Sequence, residues 1–350
     1  MMAALSHDPG WSDFFADQIS MDEAAHLSPL RLAEIRRRSV IALSDGGRAE
    51  FALTGDHVAT DLAVGDWALI DPAAGRVIRV LGRKSLISRR AAGPMAEAQL
   101  IAANIDTLFI VTSCNADFNL ARLERYIALA LEAGVAPVLI LTRADRPDPD
   151  HAPADLLAVL HDHFPQAEAL AINARAPDDL ARLAPWCGPG QTVALVGSSG
   201  VGKSTIASGL TGADLAVGDI REDDAKGRHT TTARSLHPMR AGGWLIDTPG
   251  MRELALHDAG SGIDAVFADL ADIATACRFS DCAHQGEPGC AIRAAIDDGT
   301  VDGARVARWL ALHEEDLRNS TTIAERRARG RNFSKQQKAA AKARRARRGE

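Results

Sequence analysis

Aromatic side chains are scarce in this 350-residue chain, which has one tyrosine, five tryptophans and nine phenylalanines. Proteins that hold single strands stack bases on aromatic platforms, and with aromatics few in the N-terminal part, stacking is not expected to be the main mode of a nucleic-acid contact there. Cysteine is also scarce, and its total of five is odd. The first residues carry acids and lack the long apolar core of a targeting peptide, so a disulfide-built scaffold is not expected. No apolar run is long enough to span a bilayer, and no internal repeat is found. The expectation is a soluble, cytoplasmic, monomeric protein of two or three domains. Acid is missing from one stretch: Arg326 to Arg348 holds eleven Lys or Arg and no Asp or Glu, although the whole chain is net −6. Positive charge is therefore segregated into a tail too poor in large apolar residues to build a core. Such a tail suits an anionic partner such as nucleic acid, or serves as a solvated, solubilising helix.

The most informative stretch is Gly197-Ser198-Ser199-Gly200-Val201-Gly202-Lys203-Ser204, followed by Thr205 and preceded by the apolar run Val193-Ala194-Leu195-Val196. A strand, a glycine-rich turn and a helix start turn successive backbone N–H groups onto phosphates; Lys203 adds a point charge and Ser204 a hydroxyl for Mg²⁺. The chain is thus expected to bind a nucleoside triphosphate. Downstream, Trp244-Leu245-Ile246 ends in Asp247-Thr248-Pro249-Gly250. Asp247 is placed to hold Mg²⁺ through water, and Gly250 to offer its N–H to the third phosphate. Between them lies Gly227-Arg228-His229-Thr230-Thr231-Thr232, from which Thr231 or Thr232 is expected to complete the Mg²⁺ shell.

A guanine reader needs a carboxylate facing the ring N1–H and exocyclic amine, and the run Val138 to Leu141 leads into Thr142-Arg143-Ala144-Asp145. Asp145 fits that role, although alone such an acid is more often a turn cap. The run Ala169 to Ile172 leads into Asn173-Ala174-Arg175, which would set the Ala174 N–H against the base O6. These parts stand before the phosphate loop, whereas ordinary GTPases place them after it. Strands near 107–112, 138–141, 168–172, 192–196 and 244–246 alternate with helices near 120–131, 153–163 and 203–210, a pattern that predicts a doubly wound parallel α/β sheet. The order of its parts predicts a circular permutation.

Cys277, Cys282, His284 and Cys290 fall within fourteen residues. Cys₃His is a closed tetrahedral set for one structural zinc ion; the alternatives are a buried thiol cluster or a disulfide. Cys114 and Cys187 read as packing or surface residues. Upstream, short apolar runs from Val40 to about Ser88 are broken by turn residues, as where Asp71-Pro72-Ala73-Ala74-Gly75 separates Trp67–Ile70 from Val77–Leu81. Such hairpins fit an N-terminal five-stranded barrel of the oligonucleotide-binding (OB) type, with Arg83-Lys84 and Arg89-Arg90 as a basic rim. The expected domains are a mobile leader over 1–35, the OB-type barrel over 36–95, a permuted GTPase domain over 96–258, an α-helical zinc-binding domain over 259–320 and the basic tail over 321–350.

Barrel, permuted phosphate-loop domain, Cys₃His cluster and basic tail, in that order, resemble the ribosome-small-subunit-dependent GTPase A family. The resemblance is carried by Ala102-Ala103-Asn104-Ile105-Asp106, the Gly197–Thr205 loop, Gly227–Thr232, Asp247–Gly250 and the cysteine cluster, and it covers nearly all the chain from Val40 onward. It implies a GTP hydrolase in late maturation of the small ribosomal subunit, with barrel and zinc domain on ribosomal RNA, hydrolysis stimulated by the subunit, and release afterwards. Arg143 departs from the family's usual lysine, Thr142 from the more general asparagine and Asn173 from a common serine. Met251 follows Gly250 and cannot orient a water, so slow intrinsic turnover is expected, with His229 the candidate to position one. Two other readings compete: a nucleotide kinase sharing the phosphate loop, and an RNA-binding module with a vestigial nucleotide site. Asp145 beside a metal cluster argues against the first, and intact Lys203, Ser204 and Asp247 against the second.

Overall fold

Asp71 closes the turn that its sequence announces: its carboxylate accepts the N–H groups of Ala73 and Ala74 at 3.0 and 2.9 Å. In this computed structural model, which describes residues 9–44, 47–54, 58–90, 98–213, 234–247, 256 and 258–320, that turn joins two of five barrel strands. These are β1 (Ser28–Ile35), β2 (Ser39–Ser44), β3 (Gly47–Ala52), β4 (Trp67–Asp71) and β5 (Arg76–Val80). β1 pairs with both β2 and β4, β2 with β3, β3 with β5 in parallel, and β5 with β4. The circuit closes where Ala52 pairs with Arg76, and its interior holds Leu32, Val40, Ala42, Ala68, Ile70 and Val77.

The barrel begins earlier than the sequence suggests, and the stretch assigned to a leader belongs to it from Pro9 onward. β1 escapes notice because its central residue, Arg31, is charged yet only 2% exposed. Its guanidinium donates to the carbonyls of Pro9, Gly65 and Asn104 at 2.6, 3.3 and 3.0 Å. Strand alternation turns Trp67 and Leu69 outward, and Phe15, Trp11, Ile19 and Leu27 cover them. The covering segment holds two helices, Asp13–Ala16 and Met21–His26, too short to show a period. The second has a capping box: Ser20 accepts from the Glu23 N–H while Glu23 accepts from the Ser20 N–H.

Glu23 also receives the Arg79 guanidinium at 2.7 Å. That bond first, and then the Ser20 N–H, hold its carboxyl at about 2, against an ordinary 4.5. A depressed carboxylate stabilises the fold fully above its unfolded value and ceases to do so as pH falls through the folded one. Anchoring of the Met21–His26 helix is therefore expected to persist at pH 4 and fail near pH 2. A carboxyl-resolved NMR titration checks this, and a midpoint at the ordinary value would contradict it. Arg83, read as part of a basic rim, instead turns inward: it contacts the fully buried Asp66 carboxylate at 2.6 and 2.8 Å.

After β6 (Leu86–Arg90) and β7 (Ala98–Ala103), which form a two-stranded sheet, the chain lays down β8 (Thr107–Ser113), β9 (Ala136–Thr142) and β10 (Glu168–Ala171), with β9 parallel to β8 and β10 to β9. It then returns to the other side of β8 with β11 (Thr192–Val196), followed by β12 (Ser235–Pro238) and β13 (Trp244–Asp247). The order is β10-β9-β8-β11-β13-β12, with β12 antiparallel to β13. Chain direction across the sheet reverses between β8 and β11, the switch point where open α/β sheets bind ligands at the strand C-termini. Helices Leu120–Glu132, Pro153–His163 and Lys203–Thr211 match the expected ones. β12, four residues ending in proline, was not foreseen.

Contacts divide the chain into two units, Met1–Ser88 with Leu100–Leu254, and Arg89–Gln99 with Ala255–Glu350. Of the described residues, 89, 90, 98 and 99 thus group with the C-terminal unit and not with the barrel or GTPase segments to which the sequence assigned them. The second unit contains helices Gly260–Val266, Ala268–Ala274 and Ala291–Asp297 and a long helix over 303–320. Among its buried residues are Ile263, Phe267, Leu270, Ile292 and Trp309.

Candidate nucleotide site and metal centre

The phosphate loop leaves the end of β11, whose neighbour on one side is β8. Gly197 sits at φ +139, and a Cβ there would lie 2.0 Å from the Val111 carbonyl oxygen. Only glycine lets the loop pass that close to the neighbouring strand. Gly200, at φ +74, has nothing within 4 Å of the same imagined atom. Gly197→Ala is therefore expected to cost about 2–4 kcal/mol and to abolish nucleotide binding, whereas Gly200→Ala carries backbone strain alone. Thermal melts and fluorescent-nucleotide titrations of the pair check this, and equal effects would contradict it. The Lys203 ammonium, at the start of its helix, donates to the carbonyls of Gly197 and Ser198 at 2.9 and 2.5 Å.

The end of β9 meets this loop directly. Thr142, 1% exposed, donates its hydroxyl to the Val201 carbonyl at 2.6 Å. Arg143, in the left-handed region at φ +58, donates to the Gly200 carbonyl at 2.9 Å. These two bonds explain what the departures from Asn-Lys do in this chain: both side chains tie the β9 end to the loop. Asp145 and Ala174 then share one cavity of about 320 Å³ with Gly200, Val201, Gly202 and Thr205. Thr142, Arg143, Arg146, Asn173 and Arg175 complete its lining. Ala144 and the loop residues Gly197, Ser198, Ser199, Lys203 and Ser204 stand outside that lining. Sequence reasoning missed Arg146, which holds the Asp145 carboxylate at 3.1 Å, and the Asn173 side chain, which accepts the Arg175 N–H at 3.0 Å.

Asp247 closes β13 at the same C-terminal end of the sheet as the loop, since Thr192, Val193 and Ala194 pair in parallel with Trp244, Leu245 and Ile246. Burial pushes its carboxyl up, a cost that a facing cation would offset. His229, Thr231, Thr232 and Gly250 lie outside the described residues, as does the basic tail.

In the second unit the ligand atoms of Cys277, Cys282, His284 and Cys290 all lie within 4.8 Å of one another. The His284 Nδ1 is 3.6 Å from the Cys277 sulfur and 3.5 Å from that of Cys290. Zinc bonds of about 2.3 Å to sulfur and about 2.0–2.1 Å to nitrogen, arranged tetrahedrally, put such edges near 3.6 Å, so the residues fit that ion. Burial alone would raise the Cys277 thiol, but the N–H groups of Ala291 and Ile292 and the other two thiols bring it below its ordinary value. Cys282 is pushed up to about 11 by burial, with its neighbouring thiols adding to the rise. The Cys277 and Cys282 thiols are thus pushed in opposite directions, an opposition that a divalent cation would remove. His284 is held at φ +60. Glu287, unforeseen, binds the loop together by accepting the N–H groups of Ala283, Gln285 and Gly286 at 2.9, 2.9 and 3.0 Å.

Comparison with known proteins agrees with this geometry. A family model described as RsgA GTPase matches residues 80–257. A protein of Mesorhizobium japonicum named small ribosomal subunit biogenesis GTPase RsgA is 50% identical over 317 residues, 89% of this chain and 90% of that one. Small ribosomal subunit biogenesis GTPase RsgA 2 of Vibrio vulnificus is 44% identical over 91% of this chain and 90% of its own length. Among solved structures, YjeQ from Thermotoga maritima superposes with a TM-score of 0.59 at 20% identity, covering 82% of this chain and 98% of that one. YloQ, titled a circularly permuted GTPase, gives 0.57 at 18% identity, covering 86% and 96%. At those identities the two structures speak for the fold, a barrel joined to a permuted phosphate-loop domain, while the sequence relatives, half identical across nearly nine tenths of its length, show that the chain belongs to the RsgA GTPase family.

Proposed function

We propose that this GTPase acts as a switch in late maturation of the small ribosomal subunit. With GTP bound it docks on subunit RNA, the subunit stimulates hydrolysis, and the GDP form leaves. The observation that carries the reading is the shared cavity of Asp145 and the Gly200–Gly202 turn, because it joins a carboxylate suited to guanine to a loop suited to phosphates. Support for the partner comes from the names of the Mesorhizobium and Vibrio relatives.

In this reading Asp145 accepts from the guanine N1–H and amine, the Ala174 N–H faces O6, and Arg143 stacks beside the base. Thr142 and Ala144 hold that element in place. Gly197 to Thr205 wrap the phosphates, with Lys203 neutralising charge and Gly250 marking the third phosphate. Ser204, Asp247 and Thr231 or Thr232 would hold Mg²⁺, which when bound spreads the charge of the phosphate oxygens. His229 orients the attacking water, a task Met251 cannot perform. Cys277, Cys282, His284 and Cys290 hold one structural zinc ion. The barrel and the Arg326–Arg348 tail supply the charge that meets ribosomal RNA. The protein works as a cytoplasmic monomer; among the described residues no helix is long and apolar enough to cross a membrane.

The test is GTP turnover titrated with small subunits, large subunits and free ribosomal RNA. Slow basal turnover and a rise with small subunits alone are expected; equal stimulation by large subunits would refute the assignment. In the same assay His229→Ala is expected to lose the stimulated rate, by about 10²-fold or more, and unchanged stimulation would remove His229 from the mechanism.

A further inference from the structure

β12 belongs to two bodies at once. Along one edge it runs antiparallel to β13, with Ser235 opposite Asp247. Along the other, the same Ser235 stands opposite Glu34 of β1, the one ladder pair between barrel strand and sheet strand among the described residues. The next residue, Leu236, gives its carbonyl to the guanidinium of Arg48, which reaches over from β3. The His237 ring then holds the Ser235 hydroxyl at 2.7 Å. Two barrel strands thus grip the strand whose other neighbour ends in the acid assigned to Mg²⁺.

A strand paired along both edges cannot slide without breaking one set of bonds or carrying that neighbour with it. Among the described residues the barrel's grip on β12 is light: one ladder pair and one side-chain bond. It can therefore be remade in a second arrangement at small cost, as a bistable connection requires and a full ladder would not allow.

We propose that Arg48 is a positioning residue that couples occupancy of the barrel to the state of the nucleotide site through β12. The proposal rests on the switch reading above and names its route. RNA bound at the barrel displaces β1 and β3, Arg48 and Glu34 carry Ser235 with them, and the change reaches Asp247 across the β12–β13 ladder. Because coupling is reciprocal, the third phosphate also alters how firmly the barrel holds RNA. Arg48 itself is not among the residues that line the cavity shared by Asp145 and the Gly200–Gly202 turn.

The experiment measures affinity of the full chain for purified small subunits, once with GDP and once with a non-hydrolysable GTP analogue. The native protein is expected to bind more tightly with the analogue, by about 5–150-fold. Arg48→Ala is expected to bring that ratio close to one, with GDP affinity off the subunit unchanged to within about twofold. Arg48→Lys, which keeps the charge and a donor, is expected to recover most of the ratio. Were Arg48→Ala to weaken both nucleotide states equally, Arg48 would be a plain RNA contact and the coupling role would be overturned. An unaltered ratio at full affinity would overturn it as well. A native ratio of one would fail differently, since it removes the switch before Arg48 enters.

Discussion

Stripping the metal with a chelator, or replacing Cys282 with serine, is expected to unfold the second unit while the first still binds nucleotide. Three helices of that unit, Gly260–Val266, Ala268–Ala274 and Ala291–Asp297, are seven residues each, well below the length at which isolated helices persist in water. The Ala291–Asp297 helix starts on the cluster, where Cys290 is its N-cap and accepts the Arg293 N–H. In the proposed reading one ion ties together the thiols of the loop before it. Binding at such sites is folding free energy, about 10–16 kcal/mol in zinc-finger peptides, more than a unit of this size has to spare. Serine keeps the shape of cysteine but is a poor zinc ligand, so Cys282→Ser reports the metal bond and not packing. The expected readout is partial loss of helical circular dichroism with release of one zinc equivalent and new proteolysis between 277 and 290. Guanine-nucleotide affinity stays at its original value. A metal-free protein with unchanged helicity and protease resistance would show that packing alone holds this unit.

Asp145→Asn is expected to exchange one nucleotide preference for another. Guanine presents two donors to the carboxylate, the N1–H and the amine; an asparagine turned to accept from one meets the other with its own NH₂. Sites built for such bonds reject mismatched partners by about 10⁴–10⁵, and guanine affinity should fall by an amount of that order. Xanthine carries a carbonyl where guanine carries the amine, so the asparagine NH₂ finds an acceptor and xanthosine nucleotides should bind better than guanosine ones. Asp145 is 34% exposed on its side chain, and its partner Arg146 is more exposed still. Removing the charge is thus not expected to disturb the core. Competition titrations of GDP against xanthosine diphosphate give the ratio, and retained guanine preference would show that the acid does not read the base.

What the sequence made legible was local in origin. The Asp71–Gly75 turn, the apolar runs of β8, β9 and β11 and the phosphate loop each carry their own instructions within ten residues, and strand ends agreed to within one or two positions. The metal cluster was legible for the same reason, since its ligands sit in one short loop. What stayed hidden depends on contacts between distant residues. Arg31 looks like a surface charge until three carbonyls from separate segments surround it. Arg83 reads as a rim cation, yet its partner is Asp66, and nothing in their separation forecasts a pair. β12 is four residues with a histidine and a proline, too short to show alternation, and only its place between β13 and β1 makes it a strand. The Thr142 hydroxyl and Arg143 could be noted as departures from a pattern, but their bonds to the phosphate loop required the fold.

Whether the acid at the end of β9 faces the purine is settled most directly by equilibrium competition of GTP and ATP for the unmodified protein in the presence of Mg²⁺. If Asp145 and the Gly200–Gly202 turn act on one ligand, GTP should displace a fluorescent guanine nucleotide at concentrations about 10⁴-fold below those at which ATP does so. Equal potency of the two would contradict the account and leave a phosphate-binding loop with no reader of the base.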